Sequence, residues 1–356
     1  MISPQSFSLD WINSHKKDKK FSKINPPVLE KMIRALALLE ALAVNDIQFT
    51  FKGGNSLILL LSEPRRFSVD IDILTEHSRA ELEKKFAKIV KQATFKAWSL
   101  DEARSYQQGV PKAHYFFNYD SLLNKQVGYI LLDILFEKHP YPAIKTIPIV
   151  SPWLHHDGDP ANVTVPTIDS ILGDKLTAFA PNTTGVPYGK EKSLEIVKQL
   201  HDVGHLVDSV QKIEVVSKSF DAIAGKEIKY RNLKVQRDHV LDDIIATALM
   251  VGTTAKNHSA DDKPKFEEIN RGIIQLGGYL ITGGFYIDHA IESAAKAAYI
   301  AAKLKKNDFS PLVKYQNEET TFQFESMPFN SLNRLRKIKN GSLFYWQQAA
   351  ALFGIK

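Results

Sequence analysis

The sequence predicts an α+β protein: a mixed sheet flanked by helices in the first half, then an all-α region. Three observations lead there. Strand-period alternation occurs in short runs, with Ile47, Phe49 and Phe51 against Gln48, Thr50 and Lys52, and Val69, Ile71 and Ile73 against Asp70 and Asp72. Helix-period apolar residues lie around these runs, as in Leu29, Met32, Ile33, Leu36, Leu39 and Leu42. Beyond about residue 166 the strand period gives way to helical spacing.

The 356 residues suffice for two domains of ordinary size, and the expected division is a polar lead-in over 1–25, a core over 26–165 and a helical domain over 166–356. Cysteine is absent, which excludes disulfides, thiolate metal sites and a cysteine nucleophile, and suits a reducing cytoplasm. The lysine cluster from Lys16 to Lys20 has no apolar segment ahead of a cleavage site, so no signal peptide is expected. The longest apolar runs, Ile244 to Gly252 and Gly272 to Ile287, are too short or too broken by glycine to span a bilayer, so no membrane partner is expected. A net charge of +6 mildly favours phosphate-bearing partners.

Element by element, Pro26-Pro27 opens an amphipathic helix to about Ala43, and the strand ending at Lys52 follows. Gly53-Gly54 permits a sharp turn and a close backbone approach, and Asn55 to Leu61 reads as the start of a buried helix. Such a start presents free N–H groups and the positive end of a dipole, to which Ser56 adds a hydroxyl, so phosphate is its natural guest. Pro64 ends the helix, and the next strand carries Asp70 and Asp72 on one face, roughly 6.5–7 Å apart at Cα. Two carboxylates so placed suit Mg²⁺, which takes one or two of them plus phosphate oxygens.

Ser78 and Glu81 form a capping-box pattern for a helix to about Phe95, with Leu82, Phe86, Ile89 and Ala93 as its buried face. Ala113 to Tyr119 and Val127 to Phe136 read as a hairpin. The second strand is apolar on both faces, as expected of a covered central strand, and Asp133 is the acid in its interior. A buried carboxylate needs a partner, either an ion pair in the core or a metal shared with Asp70 and Asp72. The proline-rich stretch from Lys138 to Pro166 excludes a long helix; His155-His156-Asp157 within it reads as a solvated loop. Helices are expected from Thr167 to Phe179, with Lys175 on an exposed face, from Lys190 to Asp208, with Lys198 and Asp202 as a surface pair, and over Asp238 to Met250, Lys265 to Ile287, His289 to Lys305 and Ile338 to Phe353. Gly277, Gly278, Gly283 and Gly284 either break the helix over 265–287 or let a neighbour approach it.

Gly-Gly-x-Ser followed by Arg66-Phe67-Ser68-x-Asp70-x-Asp72 resembles the nucleotidyltransferases of the AbiEii/AbiGii toxin family, within the DNA-polymerase-β-like superfamily. The resemblance covers roughly residues 30–210. It implies a polymerase-β-like core and transfer of a nucleotide from an NTP. Metal would sit at Asp70, Asp72 and Asp133, as two Mg²⁺ ions with Mn²⁺ as an alternative. The third acid would complete the metal site and take the proton from the attacking hydroxyl. Lys175 stands where the family has its phosphate-contacting lysine. Lys198-Gln199-Leu200-His201-Asp202-Val203 stands where the family shows Arg-Asp-Leu-Tyr-Asp-Leu, with Lys198 and Gln199 departing and Asp202 matching. Nucleotide contacts are therefore expected from Gly53, Gly54, Ser56, Lys175 and Asp202. Arg66 either touches the triphosphate or braces the loop.

The family's members are toxins of abortive-infection, type IV toxin–antitoxin systems, which implies a cognate antitoxin and an acceptor that is RNA, such as tRNA, or protein. Two rival readings remain at the level of sequence: an antibiotic-type enzyme acting on a small molecule, and a non-catalytic nucleotide-binding relic. The first expectation to test is that the three acids converge opposite the bend at residues 53–56.

Overall fold

The computed structural model describes residues 1–92, 94–107, 109–253, 258–318 and 321–355. They form two units. The first comprises Met1–His139, Ile144–Thr167 and Gly278–Gly283; the second comprises Pro140–Ala143, Ile168–Gly277 and Gly284–Lys356.

In the first unit the lead-in is pinned to the core. Helix α1 (Leu9–Lys17) buries Ile12, its Trp11 indole donates to the Trp153 carbonyl at 2.9 Å, and the Ile2 amide donates to the buried Glu40 carboxylate. Helix α2 (Pro26–Val44) starts on proline, whose missing N–H is not needed in a first turn, and is buried along most of its length. Strand β1 (Thr50–Lys52) leads directly into α3 (Gly53–Leu60), and β2 (Ile71–Leu74) follows. Helix α4 (Arg79–Gln92) has the expected capping box: the Ser78 amide donates to Glu81 at 2.7 Å and the Glu81 amide to Ser78 Oγ at 3.3 Å. Those bonds and burial act on Glu81 in opposite senses, and the Ser78 bonds win, holding its carboxyl below the usual range. Leu82, Phe86 and Ile89 are buried as expected; Ala93 lies outside the described residues.

Strand β3 (Ala97–Leu100), the short helix α5 (Glu102–Ser105), β4 (Lys112–Asp120) and β5 (Val127–Leu135) come next, with β4 and β5 forming the expected antiparallel hairpin. The proline-rich stretch is not only loop. It supplies β6 (Ile144–Pro148) and β7 (Asn162–Pro166), an antiparallel pair that joins the sheet through a parallel bridge to β1. Proline is tolerated at the strand ends it occupies here. The resulting order, β3-β4-β5-β2-β1-β7-β6, mixes parallel and antiparallel neighbours.

One face of this sheet packs under α2 and α4 through Phe51, Ile71, Ile73, Tyr115, Phe117, Ile130, Leu132 and Ile134. The other face is more open than the expected two-sided burial of β5. Val127 and Tyr129 are exposed and Asp133 is half-buried, so Asp133 does not bear the full desolvation of a core carboxylate.

The second unit is helical: α6 (Ile168–Ala178), α7 (Ser193–Val207), α8 (Ile213–Tyr230), α9 (Arg237–Gly252), α10 (Asp262–Leu276), α11 (Ile287–Lys305) and α12 (Ser342–Ala351). Ala290, Ala294, Ala297, Ala298 and Ala301 of α11 are fully buried, and small side chains let its neighbours close in. A Cβ on Gly204 of α7 would lie 2.5 Å from Ser293 Cβ, so only glycine fits there. The helix expected over 265–287 ends at Leu276: of the two roles expected for the glycines after it, the break is the one seen, and that segment separates α10 from α11. Among the described residues, no helix is long and apolar enough to cross a membrane.

Candidate active site

Strand register assembles the site. Lys52 pairs with Asp72, Asp72 with Asp133, and Asp133 with His114, so one cross-strand row runs Lys52, Asp72, Asp133, His114 over β1, β2, β5 and β4. Partners in a row share a face, and neighbouring strands lie about 4.8 Å apart. Two carboxylates side by side repel each other. The row flanks them with a lysine and an imidazole. His114 Nδ1 lies 2.5 Å from Asp133 Oδ1, and Arg104 of α5 comes within 3.7 Å of Asp133 Oδ2. Asp70 stands just before β2, half-buried like Asp72, and alternates with the buried Val69 and Ile71.

The bend at the start of α3 faces this row. Gly53 has φ of 79°, a left-handed value that suits glycine, and a Cβ there would fall 2.1 Å from Asp72 Oδ2. The acid thus rests against the bare backbone of the bend. Ser56 is buried, and its hydroxyl donates to the Gly53 carbonyl at 2.8 Å, which ties the side chain to the bend itself. Asn55 is also buried; its Nδ2 donates to the Asp70 carbonyl at 3.4 Å, and its Oδ1 has no hydrogen-bond partner among the described residues.

Arg66 packs against the bend. Its guanidinium is buried against Gly54, where a Cβ would meet Nη2 at 2.7 Å, and Nη1 donates to the Phe67 carbonyl at 3.1 Å. Residues 278–283 run beside it as a strand-like clamp, with the Phe67 amide donating to the Tyr279 carbonyl at 2.8 Å and the Ile281 amide to the Arg65 carbonyl at 2.9 Å. Nothing in the sequence around 278–283 announces this role, because the pairing spans some two hundred residues.

Lys175 and Asp202 belong to the second unit, where they form a buried ion pair. Lys175 Nζ lies 2.9 Å from Asp202 Oδ2, with side-chain exposures of 9% and 2%. The same ammonium donates to Gln199 Oε1 at 3.0 Å. Lys175 is therefore not the exposed helix lysine that periodicity alone suggests. Lys198 is buried and pairs with the more exposed Glu195 at 2.8 Å, and Asp202 is buried too, so neither lies on the surface as helical spacing suggests. The structure thus brings Asp72 and Asp133 together beside Gly53, and Lys175 together with Asp202. Sequence reading missed His114, Arg104 and Asn55. His114 could have been found by counting outward from the hairpin turn to the residue opposite Asp133.

The acids offer hard oxygen donors, and Asp72 Oδ2 lies so close to the bare Gly53 backbone that a Cβ there would come within 2.1 Å of it; donors of this chemistry suit Mg²⁺ or Mn²⁺. Among the described residues, no three His, Asp or Glu side chains form a ready cage for an ion. Mg²⁺ does not require one, because it completes its shell with water and phosphate oxygens. His155 and Asp157 lie 3.8 Å apart in their loop.

A mixed sheet in which a glycine bend opening a helix meets carboxylates on adjacent strands has the layout of a nucleotidyltransferase core. The family model for the nucleotidyl transferase AbiEii toxin of type IV toxin–antitoxin systems matches residues 36–270. The chain belongs to that family and is a nucleotidyltransferase. The match runs about 60 residues beyond the expected limit near 210, so much of the helical unit is family structure rather than an extension.

Among solved structures, a nucleotidyltransferase candidate from H. pylori is 17% identical, with a TM-score of 0.44, covering 78% of this chain and 96% of that one. The JHP933 protein of Helicobacter pylori is 15% identical, with a TM-score of 0.42 and coverages of 86% and 96%. An antigenic nucleotidyltransferase-like protein from Paracoccidioides brasiliensis is 14% identical, with a TM-score of 0.35 and coverages of 57% and 89%. No curated protein matches the chain. Family membership implies a nucleotide substrate and an antitoxin partner.

Proposed function

We propose that the protein transfers a nucleoside monophosphate from an NTP to an acceptor hydroxyl or phosphate, releasing pyrophosphate, and that RNA, with tRNA foremost, is the acceptor through which it acts as a toxin. The observation that carries this reading is the register of Asp72 with Asp133 beside the Gly53 bend. Asp70, Asp72 and Asp133 would hold Mg²⁺, two ions in the full complex. Bound there, the metal would supply charge neutralisation on the phosphate oxygens. The chain's own groups do the rest. Backbone N–H groups at Gly54 and the start of α3 meet phosphate. Asp133 accepts the proton of the attacking hydroxyl, and Arg66 keeps the bend in shape. Within the second unit, Asp202 and Gln199 hold the ammonium of Lys175, the group that the family resemblance assigns to nucleotide phosphate. Gln199 supplies the carbonyl oxygen that Lys175 contacts, which speaks against reading the Lys198-Gln199 departure as the mark of a relic.

The test is incubation with each labelled NTP, Mg²⁺ and total tRNA, followed by gel separation and a pyrophosphate assay. Label in RNA with release of pyrophosphate is the expected result. Label in protein or in a small molecule reassigns the acceptor. NTP binding without transfer or pyrophosphate overturns the enzymatic reading.

A further inference from the structure

We infer that His114 is a positioning residue for Asp133: its imidazole fixes one carboxylate oxygen and so orients the other for the metal and the acceptor. This rests on the reading of Asp133 as a site residue. The geometry is built rather than incidental. His114 and Asp133 are direct partners across β4 and β5, and Nδ1 lies 2.5 Å from Oδ1. His114 is buried, and its Nε2 has no hydrogen-bond partner among the described residues. A bare nitrogen is best left as the unprotonated acceptor, so Nδ1 carries the hydrogen and donates it to the carboxylate.

Helix α5 straps the backbone of the histidine in place. The His114 amide donates to Ser105 Oγ at 2.9 Å, and the Asp101 amide donates to the His114 carbonyl at 2.8 Å. The same helix brings Arg104 to 3.7 Å from Asp133 Oδ2. Oδ1 of Asp133 therefore meets a donor from β4, Oδ2 stays beyond hydrogen-bond distance of Arg104, and Asp72 stands on the other flank in the row. A carboxylate beside another acid would otherwise rotate away from it. A donor clamped onto Oδ1 removes that freedom and keeps the pair facing one ligand. Partners of this outer kind typically change metal affinity or activity by about 10–100-fold when lost.

The test compares His114→Leu, which fills the space without a donor, with His114→Asn, whose amide N–H can reach the place of Nδ1–H. Each is assayed as the full chain for Mn²⁺ binding by electron paramagnetic resonance, for the Mg²⁺ dependence of transfer, and for thermal stability. The expected result is Mn²⁺ affinity weakened about 10–100-fold in His114→Leu and restored to within about threefold of the parent in His114→Asn. Parent-like Mn²⁺ affinity in a folded His114→Leu overturns the inference. So does a His114→Asn protein that is folded yet as impaired as the leucine variant. A parent protein that binds no Mn²⁺ removes the metal-site reading itself, which is a different failure from an indifferent His114.

Discussion

Replacing Gly53 with alanine probes the contact on which the site is built. The new methyl would sit 2.1 Å from Asp72 Oδ2, 2.9 Å from its Cγ and 3.2 Å from its Cβ, so the whole carboxylate must swing away. Three contributions set the size. An L-residue held in the left-handed region costs about 1–2 kcal/mol. Forcing the short Asp72 side chain off its rotamer adds about 0.5–1.5 kcal/mol. The reduced entropy of the unfolded chain offsets about 0.4–1 kcal/mol. The net is a destabilisation of about 0.5–3 kcal/mol, read by urea denaturation. Transfer should fall together with stability, because the displaced atom is the proposed metal ligand. In an Asp72→Ala background the collision with the carboxylate disappears and only the 3.2 Å approach of the two Cβ atoms remains, so the Gly53→Ala cost should shrink by about 0.5–1.5 kcal/mol, a coupling the double-mutant cycle measures. A Gly53→Ala protein of parental stability and activity would refute the reasoning, as would a cycle with no coupling.

Other consequences are as specific. Asp72→Ala and Asp133→Asn should each lower pyrophosphate release by more than about 10²-fold, the scale of losing one preorganised electrostatic contact; circular dichroism should stay parental. Asp202→Ala strands the buried Lys175 ammonium and should cost about 3–5 kcal/mol, whereas the double variant Lys175→Met/Asp202→Leu should regain much of that loss; denaturant midpoints decide. Hydrogen bonds from Lys303 and Ser310 hold the Asp308 carboxyl down, to about 2, against a smaller opposing effect of burial. Its folded value lies below its unfolded one, so its stabilising contribution is complete above about pH 4 and is lost as pH falls toward 2. Asp308→Asn should flatten that part of an acid titration of stability and should lower stability at neutral pH, because Lys303 is 2% exposed and loses its carboxylate partner, keeping only Ser310 Oγ. An unchanged acid limb would contradict the assignment.

What could be read in the chain and what could not divide along a physical line. Local periodicity placed β4, β5, α4 and the glycine bend, because each is encoded within one or two turns or pleats and by a capping pair such as Ser78 and Glu81. The strand pair at 144–148 and 162–166 escaped notice, since its prolines and short length mask the alternation that the sheet edge supplies. The helix expected over 265–287 ends at Leu276, at the glycine run expected either to break it or to admit a neighbour; spacing alone does not choose between the two.

By itself the sequence determined the residue types of the site: a Gly-Gly turn before a helix, two acids in alternation, and a third on a later strand. Only the tertiary structure decided that Asp133 lines up with Asp72 rather than one residue away, where the pleat would turn it to the opposite face. The same holds for His114 beside Asp133, for residues 278–283 clamped along Arg66, and for Lys175 buried against Asp202. Register and burial depend on contacts between distant segments, and no local pattern carries that information.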